Sequence, residues 1–166
     1  TGKLNACFGV KKLVDAFCLL PDPNCRLVLC GRGDCEDYIR EKSAADSRIL
    51  YLGQVTADVA GEWIRRADVL VNPRPNEGEY TKYSFPSKNI EYLLSGNPVV
   101  GYMLSGMPED YRRFMHIVAD DRTESLRDAI AAAGRTQVSA DARDYLTRKC
   151  EATSIAGQIL AMNGME

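Results

Sequence analysis

Residues 67–100 read ADVLVNPRPNEGEYTKYSFPSKNIEYLLSGNPVV. Asp68-Val69-Leu70-Val71 is a short apolar run of β type, and it breaks at Asn72-Pro73-Arg74-Pro75. A polar loop runs to Tyr83, and Pro86 then opens a helical pattern. Ile90, Leu93 and Leu94 recur at the i, i+3, i+4 spacing of an amphipathic helix and are its expected apolar face. Gly96 and Pro98 end that helix, as a C′ glycine with a proline just beyond does. Pro98-Val99-Val100 begins another apolar run. The stretch is therefore a strand, a long loop, a helix and a strand.

The start of that helix carries the chemistry. Pro86 suits the first helical position, where a missing N–H costs nothing. The amides of Ser87 and Lys88 have no partner within the helix. Together with the helix dipole they form an anion site, to which Lys88 adds a full positive charge. Ser87, Lys88 and Glu91 lie near one face, with Glu91 about one turn, roughly 5 Å, further along the axis. A nucleoside diphosphate needs that layout, with the diphosphate at the helix tip and a carboxylate one turn deeper for the ribose hydroxyls. The same spacing also describes a capped surface helix with an ordinary Lys–Glu pair, so it does not decide by itself.

Outward from this stretch, strands alternate with helices. Val10, Leu13, Val14 and Phe17 predict a helix over 9–20, stopped at Pro21-Asp22-Pro23-Asn24. Arg26 to Cys30 reads as a buried strand, Gly31-Arg32-Gly33-Asp34 as a tight turn, and about Cys35 to Lys42 as a short helix. Arg48 to Leu52 is a strand closed by Gly53-Gln54-Val55, and Thr56 caps a helix to about Ala67. Beyond the central stretch come a strand over 99–102 and a short helix with Pro108 at its first position. A strand at Ile117-Val118-Ala119 follows, then a helix capped by Thr123. Two closing helices, 139–150 and 154–162, complete the chain. Thr1 to Asn5 looks like the end of a strand whose beginning is absent. This alternation predicts one α/β domain over 1–166: a single doubly wound, Rossmann-like parallel sheet with helices on both faces. Ligands of such sheets bind at the carboxyl ends of the strands, where Gly2, Gly31, Gly53 and Asn72 fall.

The composition sets limits on function. The 166 residues, 45% hydrophobic and 27% charged, suit one globular domain. A net charge of −2 gives no bulk attraction for nucleic acid. No apolar run approaches a membrane span. Six cysteines are scattered without a Cys-x-x-Cys pair and there is one histidine, so a zinc site is not expected and buried free thiols are. Gly31-Arg32-Gly33 resembles the start of a dinucleotide fingerprint, but Glu36 stands where the third glycine belongs. His116 has no nucleophile beside it in sequence, Asp120-Asp121 is an ordinary pair before a helix, and no Asp-x-Asp signature of metal-dependent transferases occurs.

The central stretch resembles the nucleotide-sugar domain of family 4 glycosyltransferases, retaining enzymes of the GT-B fold. Their signature is a Glu, then seven residues and a second Glu on a helix that runs into a small-Gly-x-Pro-Val-Val sequence. Glu91 with Ser95-Gly96-Asn97-Pro98-Val99-Val100 matches its second half, and Tyr83-Ser84-Phe85-Pro86-Ser87-Lys88 a variant of its first. The resemblance runs from Gly2 to about Asp121. It implies a C-terminal, donor-binding domain whose N-terminal acceptor domain is absent from this chain. The implied activity is that of a hexosyltransferase moving sugar from a nucleotide carrier to a hydroxyl, with the isolated chain binding nucleotide weakly and transferring little. By the same resemblance Glu91 holds the ribose. Lys88 and the amides of Ser87 and Lys88 are expected to take the diphosphate, with Lys82 or Arg32 as further cations, and Ser84 and Phe85 are expected among the nucleotide-sugar contacts. Gly53, Gln54 and Val55 read the base edge, and the Gly31 turn lies below it. Lys3 takes the place of an arginine, and Phe8 stands where a lysine is usual. Tyr83 occupies the first Glu position, so Glu79, or failing that Glu77, is expected to orient the sugar.

No cofactor or metal is expected. The expected partner is a UDP-, GDP- or ADP-linked sugar, with an acceptor reached through the missing domain and no nucleic acid. The expected location is the cytoplasm, with peripheral contact at the inner face of the membrane left open. Two other readings fit the same residues: a degenerate, non-catalytic nucleotide-sugar-binding domain, and a nucleotide-sugar epimerase of the same fold.

Overall fold

The computed structural model describes residues 1–77, 87–136 and 141–150. Strand β1 (Gly2–Lys3) leads through a short 3-10 helix (Ala6–Phe8) into α1 (Val10–Cys18). There follow β2 (Leu27–Arg32), α2 (Glu36–Ala45), β3 (Ile49–Gly53), α3 (Ala57–Arg66) and β4 (Leu70–Asn72). The rest is α4 (Ser87–Ser95), β5 (Val99–Gly101), a second 3-10 helix (Glu109–Phe114), β6 (His116–Ile117), α5 (Thr123–Ala133) and α6 (Asp141–Cys150). The expected closing helix over 154–162 lies outside the described residues. None of the described helices is long and apolar enough to cross a membrane.

Every described strand pair is parallel. The hydrogen bonds form two three-stranded ladders, β1-β2-β3 and β4-β5-β6, so β1 and β4 are each the edge of a ladder. The segments leaving those edges touch: a Cβ built on Gly9 would lie 2.0 Å from the carbonyl oxygen of Pro73. The helices pack in two rows, α2 on α1 on α5, and α3 on α4 on α6. The alternation of apolar runs thus gives the doubly wound layering, with helices covering both faces of the strands.

Local signals explain most element ends. Val10, Leu13, Val14 and Phe17 are all buried on α1, as their spacing requires. The Thr56 hydroxyl accepts from the Val59 N–H at 3.5 Å and caps α3. Gly96 takes φ +85° beyond α4, with its N–H bonded to Leu93 O at 3.2 Å.

Other ends differ from expectation. Gly31 and Arg32 are not a turn. They extend β2 beside Gly2 and Lys3, and the turn falls at Gly33–Cys35. Gly31 is required because a Cβ there would sit 1.7 Å from the Gly2 carbonyl oxygen. Pro108 is the cap rather than the first helical residue of its 3-10 helix. Thr123 is the first residue of α5, capped by Arg122; the Arg122 N–H is taken up by Asp120 Oδ1 at 3.0 Å. The sixth strand is His116–Ile117, one residue earlier and shorter than Ile117–Ala119.

Arg48 ties the first ladder together. Its Nη1 donates to Leu20 O at 2.7 Å and to Asp22 O at 3.1 Å, and its Nη2 meets Asp46 Oδ2 at 2.8 Å. The Asp46 side chain also accepts from the Arg48 N–H, and these bonds hold its carboxyl at about 2. A depressed carboxyl stabilises the fold while ionised, fully so above its unfolded value near 4. That contribution is lost as pH falls through about 2. Asp46→Asn is therefore expected to flatten the acid limb of the stability curve between about pH 4 and 2. Urea melts across that range check it; an unchanged limb would remove Asp46 from acid unfolding.

Candidate functional site

The carboxyl ends of β1, β2 and β3 form a floor of backbone. Gly2 pairs with Gly31, and Cys30 pairs with Gly53 across a register shift, so three glycines run across the strand ends. Gly53 has φ +66°, and a Cβ there would meet nothing within 4 Å, so the β3 end is open. Gln54 beyond it is exposed and Val55 half-buried.

Helix α4 brings its first turn to the other end of this floor. A Cβ on Gly2 would lie 3.5 Å from Lys88 Cε, which places the lysine stem directly over β1. The gap from Lys88 to Gly53 is about two strand spacings, roughly 10 Å. A nucleoside lying along the floor would span it.

Three cations border this floor. Lys88 Nζ lies 2.5 Å from Glu91 Oε2, an i,i+3 pair in which both side chains stay open to water, at 37% and 46% exposure. Lys3 and Arg32 are exposed neighbours in the β1–β2 register, and neither is ion-paired among the described residues. The α4 amides of Ser87 and Lys88 belong to the first turn and have no acceptor within the helix. The arrangement can attract a dianion and hold it at a helix tip. Gly2, Gly31, Gly53, Lys3, Ser87, Lys88 and Glu91 are thus brought to neighbouring strand ends and one helix turn. Glu77 is described and exposed, further along the β4 exit. Glu79, Lys82, Tyr83, Ser84, Phe85 and Pro86 lie outside the described residues.

The face of α4 that packs inward is rotated from the one the apolar spacing indicates, the two sharing Leu93. Asn89, Tyr92 and Leu93 are buried, while Ile90 and Leu94 are only half-buried. Asn89 is 1% exposed. Its Oδ1 accepts from Asn72 Nδ2 at 2.6 Å, and its own amide donates to Met107 Sδ at 3.5 Å. Asn72 Oδ1 in turn accepts from the Arg74 N–H at 3.4 Å. A buried amide is tolerated where it is bonded, and here the bonding locks the end of β4 to the first turn of α4. Asn89 with Tyr92 and Leu93 also has i, i+3, i+4 spacing, which is the signal that could have shown this face.

Tyr92 receives a hydrogen bond from the Thr1 amino group at 3.2 Å, seating the start of β1 against the same helix. Arg74 was missed as well: its guanidinium lies 5.7 Å from the centre of the Phe8 ring, which adds positive charge where the two ladders meet.

Elsewhere the residues behave as structural groups. Cys30 and Cys35 are buried free thiols, and burial pushes Cys35 up to about 11. Asp121 pairs with Lys12, and Asp120 with Arg122 at 2.9 Å. Among the described residues no three His, Cys, Asp or Glu side chains come together as a metal site.

Comparison with known proteins places this geometry in context. A family model described as Glycosyl transferases group 1 matches residues 1–135. An uncharacterised glycosyltransferase of Methanocaldococcus jannaschii is 29% identical over 112 residues, covering 65% of this chain and 27% of the relative. Among solved structures, Anabaena HepE in complex with UDP superposes with a TM-score of 0.74 at 18% identity, over 99% of this chain and 48% of its own. AviGT4, a glycosyltransferase involved in avilamycin A biosynthesis, gives 0.73 at 18% identity over 97% and 48%. WaaG, a glycosyltransferase involved in lipopolysaccharide biosynthesis, gives 0.62 at 17% over 93% and 42%. The fold is that of GT-B glycosyltransferases. The chain spans less than half the length of each of these proteins.

Proposed function

Since this chain belongs to the group 1 glycosyl transferases, we propose that it is the C-terminal, donor-binding domain of a retaining, family 4 enzyme. The whole protein moves a hexosyl group from a nucleotide diphosphate to a hydroxyl acceptor, which its other domain presents. The observation that carries this reading is the seat of Lys88 over Gly2, at the end of β1, with Glu91 on the next turn of α4.

The physical task of such a transfer is to stabilise the charge that builds on the departing diphosphate. A helix N-terminus and a lysine are preorganised for this, because neither must reorient as the bond breaks. Lys88 and the amides of Ser87 and Lys88 take the diphosphate, with Lys3 and Arg32 raising the local potential. Lysine is a flexible point charge, so Lys3 attracts the diphosphate without bidentate geometry. Glu91 exchanges its bond to Lys88 for the ribose hydroxyls when the phosphates arrive. Gly53, Gln54 and Val55 form the base end. In this reading Glu79 orients the sugar, and Lys82, Ser84 and Phe85 contact the nucleotide sugar; all four lie outside the described residues. Side chains and amides supply all the positive charge this reading requires, and no metal enters it. The Lys88–Glu91 pair is open to water, so neither side chain is buried out of reach of a ligand, which favours an active domain over a degenerate one.

Calorimetric titration of the chain with UDP, GDP and ADP, each beside its parent nucleoside, tests this reading. UDP heads the series because HepE was solved with it. At least one diphosphate is expected to bind, and by about tenfold or more over its nucleoside, the scale of a charge-assisted contact. If no diphosphate outbinds its nucleoside, the helix tip is not a phosphate site.

A further inference from the structure

Helix α4 has two faces that it could turn to the strands. Ile90, Leu93 and Leu94 make one. Asn89, Tyr92 and Leu93 make the other, and this second face is the buried one. The two are related by about one residue step, roughly 100° of rotation about the helix axis. Only the second contains an amide. Among the described residues Asn89 is the only buried side chain that is an amide or carries a charge.

The rotation decides where the cation goes. Successive residues are about 100° apart around the axis, so with Asn89 inward Lys88 stands on the flank of the helix. From that flank its stem reaches β1, where Cε lies 3.5 Å from a Cβ built on Gly2. With Ile90, Leu93 and Leu94 inward, Lys88 would stand nearly opposite the buried side and point away from the strands.

Two partners outside the helix hold the observed rotation. Asn72 Nδ2, at the end of β4, donates to Asn89 Oδ1 at 2.6 Å, and the Asn89 amide donates to Met107 Sδ at 3.5 Å. Asn72 is itself fixed: it pairs with Gly101 of β5, and its Oδ1 accepts from the Arg74 N–H at 3.4 Å. Tyr92 favours the same face, through its buried ring and the Thr1 amino group. Against it, Ile90 and Leu94 are left half-buried and would gain burial in the other rotation. An amide belongs out of water only while it is bonded. Without Asn72, Asn89 would join the groups that favour turning the helix.

We propose that Asn89 is a positioning residue: its bond to Asn72 sets the rotation of α4 and so seats Lys88 over the end of β1. That the seat serves a diphosphate rests on the transfer reading above; that the amide pair sets the rotation does not.

Nuclear Overhauser spectroscopy on the whole chain reads the rotation without any ligand. The wild type is expected to show contacts between the Lys88 ε-protons and the Gly2 α-protons. Asn72→Ala and Asn89→Ala should each lose them, while contacts between Leu29 and Tyr51, paired across β2 and β3, persist and show that the variants are folded. The double variant should resemble either single one, because all three lack the same bond. Inorganic pyrophosphate, followed at the Ser87 and Lys88 amides, should bind each variant roughly fivefold more weakly than it binds the wild type. Survival of the Lys88–Gly2 contacts in both single variants would overturn the proposal, as would their absence from the wild type. Failure of pyrophosphate to bind the wild type would instead remove the phosphate reading, with the rotation still decided by the Lys88–Gly2 contacts.

Discussion

Gly9→Ala is expected to destabilise the domain by about 3 kcal/mol or more, whereas Gly53→Ala should cost only about 1 kcal/mol. Both glycines have left-handed φ, +76° and +66°, so both substitutions carry the same intrinsic penalty. They differ in what the new methyl meets. At Gly53 it meets nothing within 4 Å. At Gly9 it lies 2.0 Å from the Pro73 carbonyl oxygen and 2.9 Å from the carbonyl carbon. A backbone carbonyl of a proline-flanked strand exit has no rotamer to change, so the clash forces apart the segments leaving β1 and β4. These are the edges at which the two ladders meet without a hydrogen-bonded rung. The difference between the two variants in urea melts therefore measures that contact together with the helix-capping role of Gly9. Equal costs would mean that the β1 and β4 exits do not constrain one another. The folded fraction of Gly9→Ala should also bind nucleotide more weakly, since the exit of β1 would shift away from Lys88.

The pair Gly9 and Gly53 also shows what could be read from the chain and what could not. A glycine after an apolar run announces a strand end, and Gly53 was legible in that way. Gly-x-Gly usually marks a turn, and the sequence predicts one at Gly31; its real constraint is the carbonyl of Gly2, far away in sequence and absent from any local window. The helices were legible because apolar spacing is a local property, as on α1. Helix α4 is the instructive exception. Counting Ile90, Leu93 and Leu94 turns the helix by one residue step, about 100°, because a polar side chain is assumed to face water. Asn89 instead faces inward, and its partner Asn72 is seventeen residues earlier at the end of another element. Tertiary hydrogen bonding overrode polarity there, and single-sequence periodicity has no term for it. The site followed the same division. That Lys88 and Glu91 share one face at the start of α4 was legible from spacing. The Arg74–Phe8 contact exists only once distant segments meet.

Lys88→Ala should impair nucleoside-diphosphate binding more than Glu91→Ala does, although both residues sit on the same turn and are bonded to each other. The asymmetry follows from that pairing. Removing Lys88 takes away the cation at the helix tip and also releases the Glu91 carboxylate, unneutralised, within a turn of the incoming diphosphate. Hydrogen bonds to charged groups contribute about 1.5–3 kcal/mol, so a loss of roughly tenfold to a hundredfold in affinity is expected. Removing Glu91 deletes an acceptor for the ribose hydroxyls but frees Lys88 from its competitor, and the two effects partly offset. A loss of only about threefold to tenfold follows. Glu91→Gln keeps an acceptor and frees the lysine, so it should fall between wild type and Glu91→Ala. Salt discriminates further. Binding by wild type should weaken as ionic strength rises, since the cations are exposed and screened, and Lys88→Ala should blunt that dependence. Titrations at two salt concentrations read all of this at once. A Glu91→Ala loss equal to or larger than that of Lys88→Ala would show that the carboxylate, and not the cationic helix tip, dominates recognition.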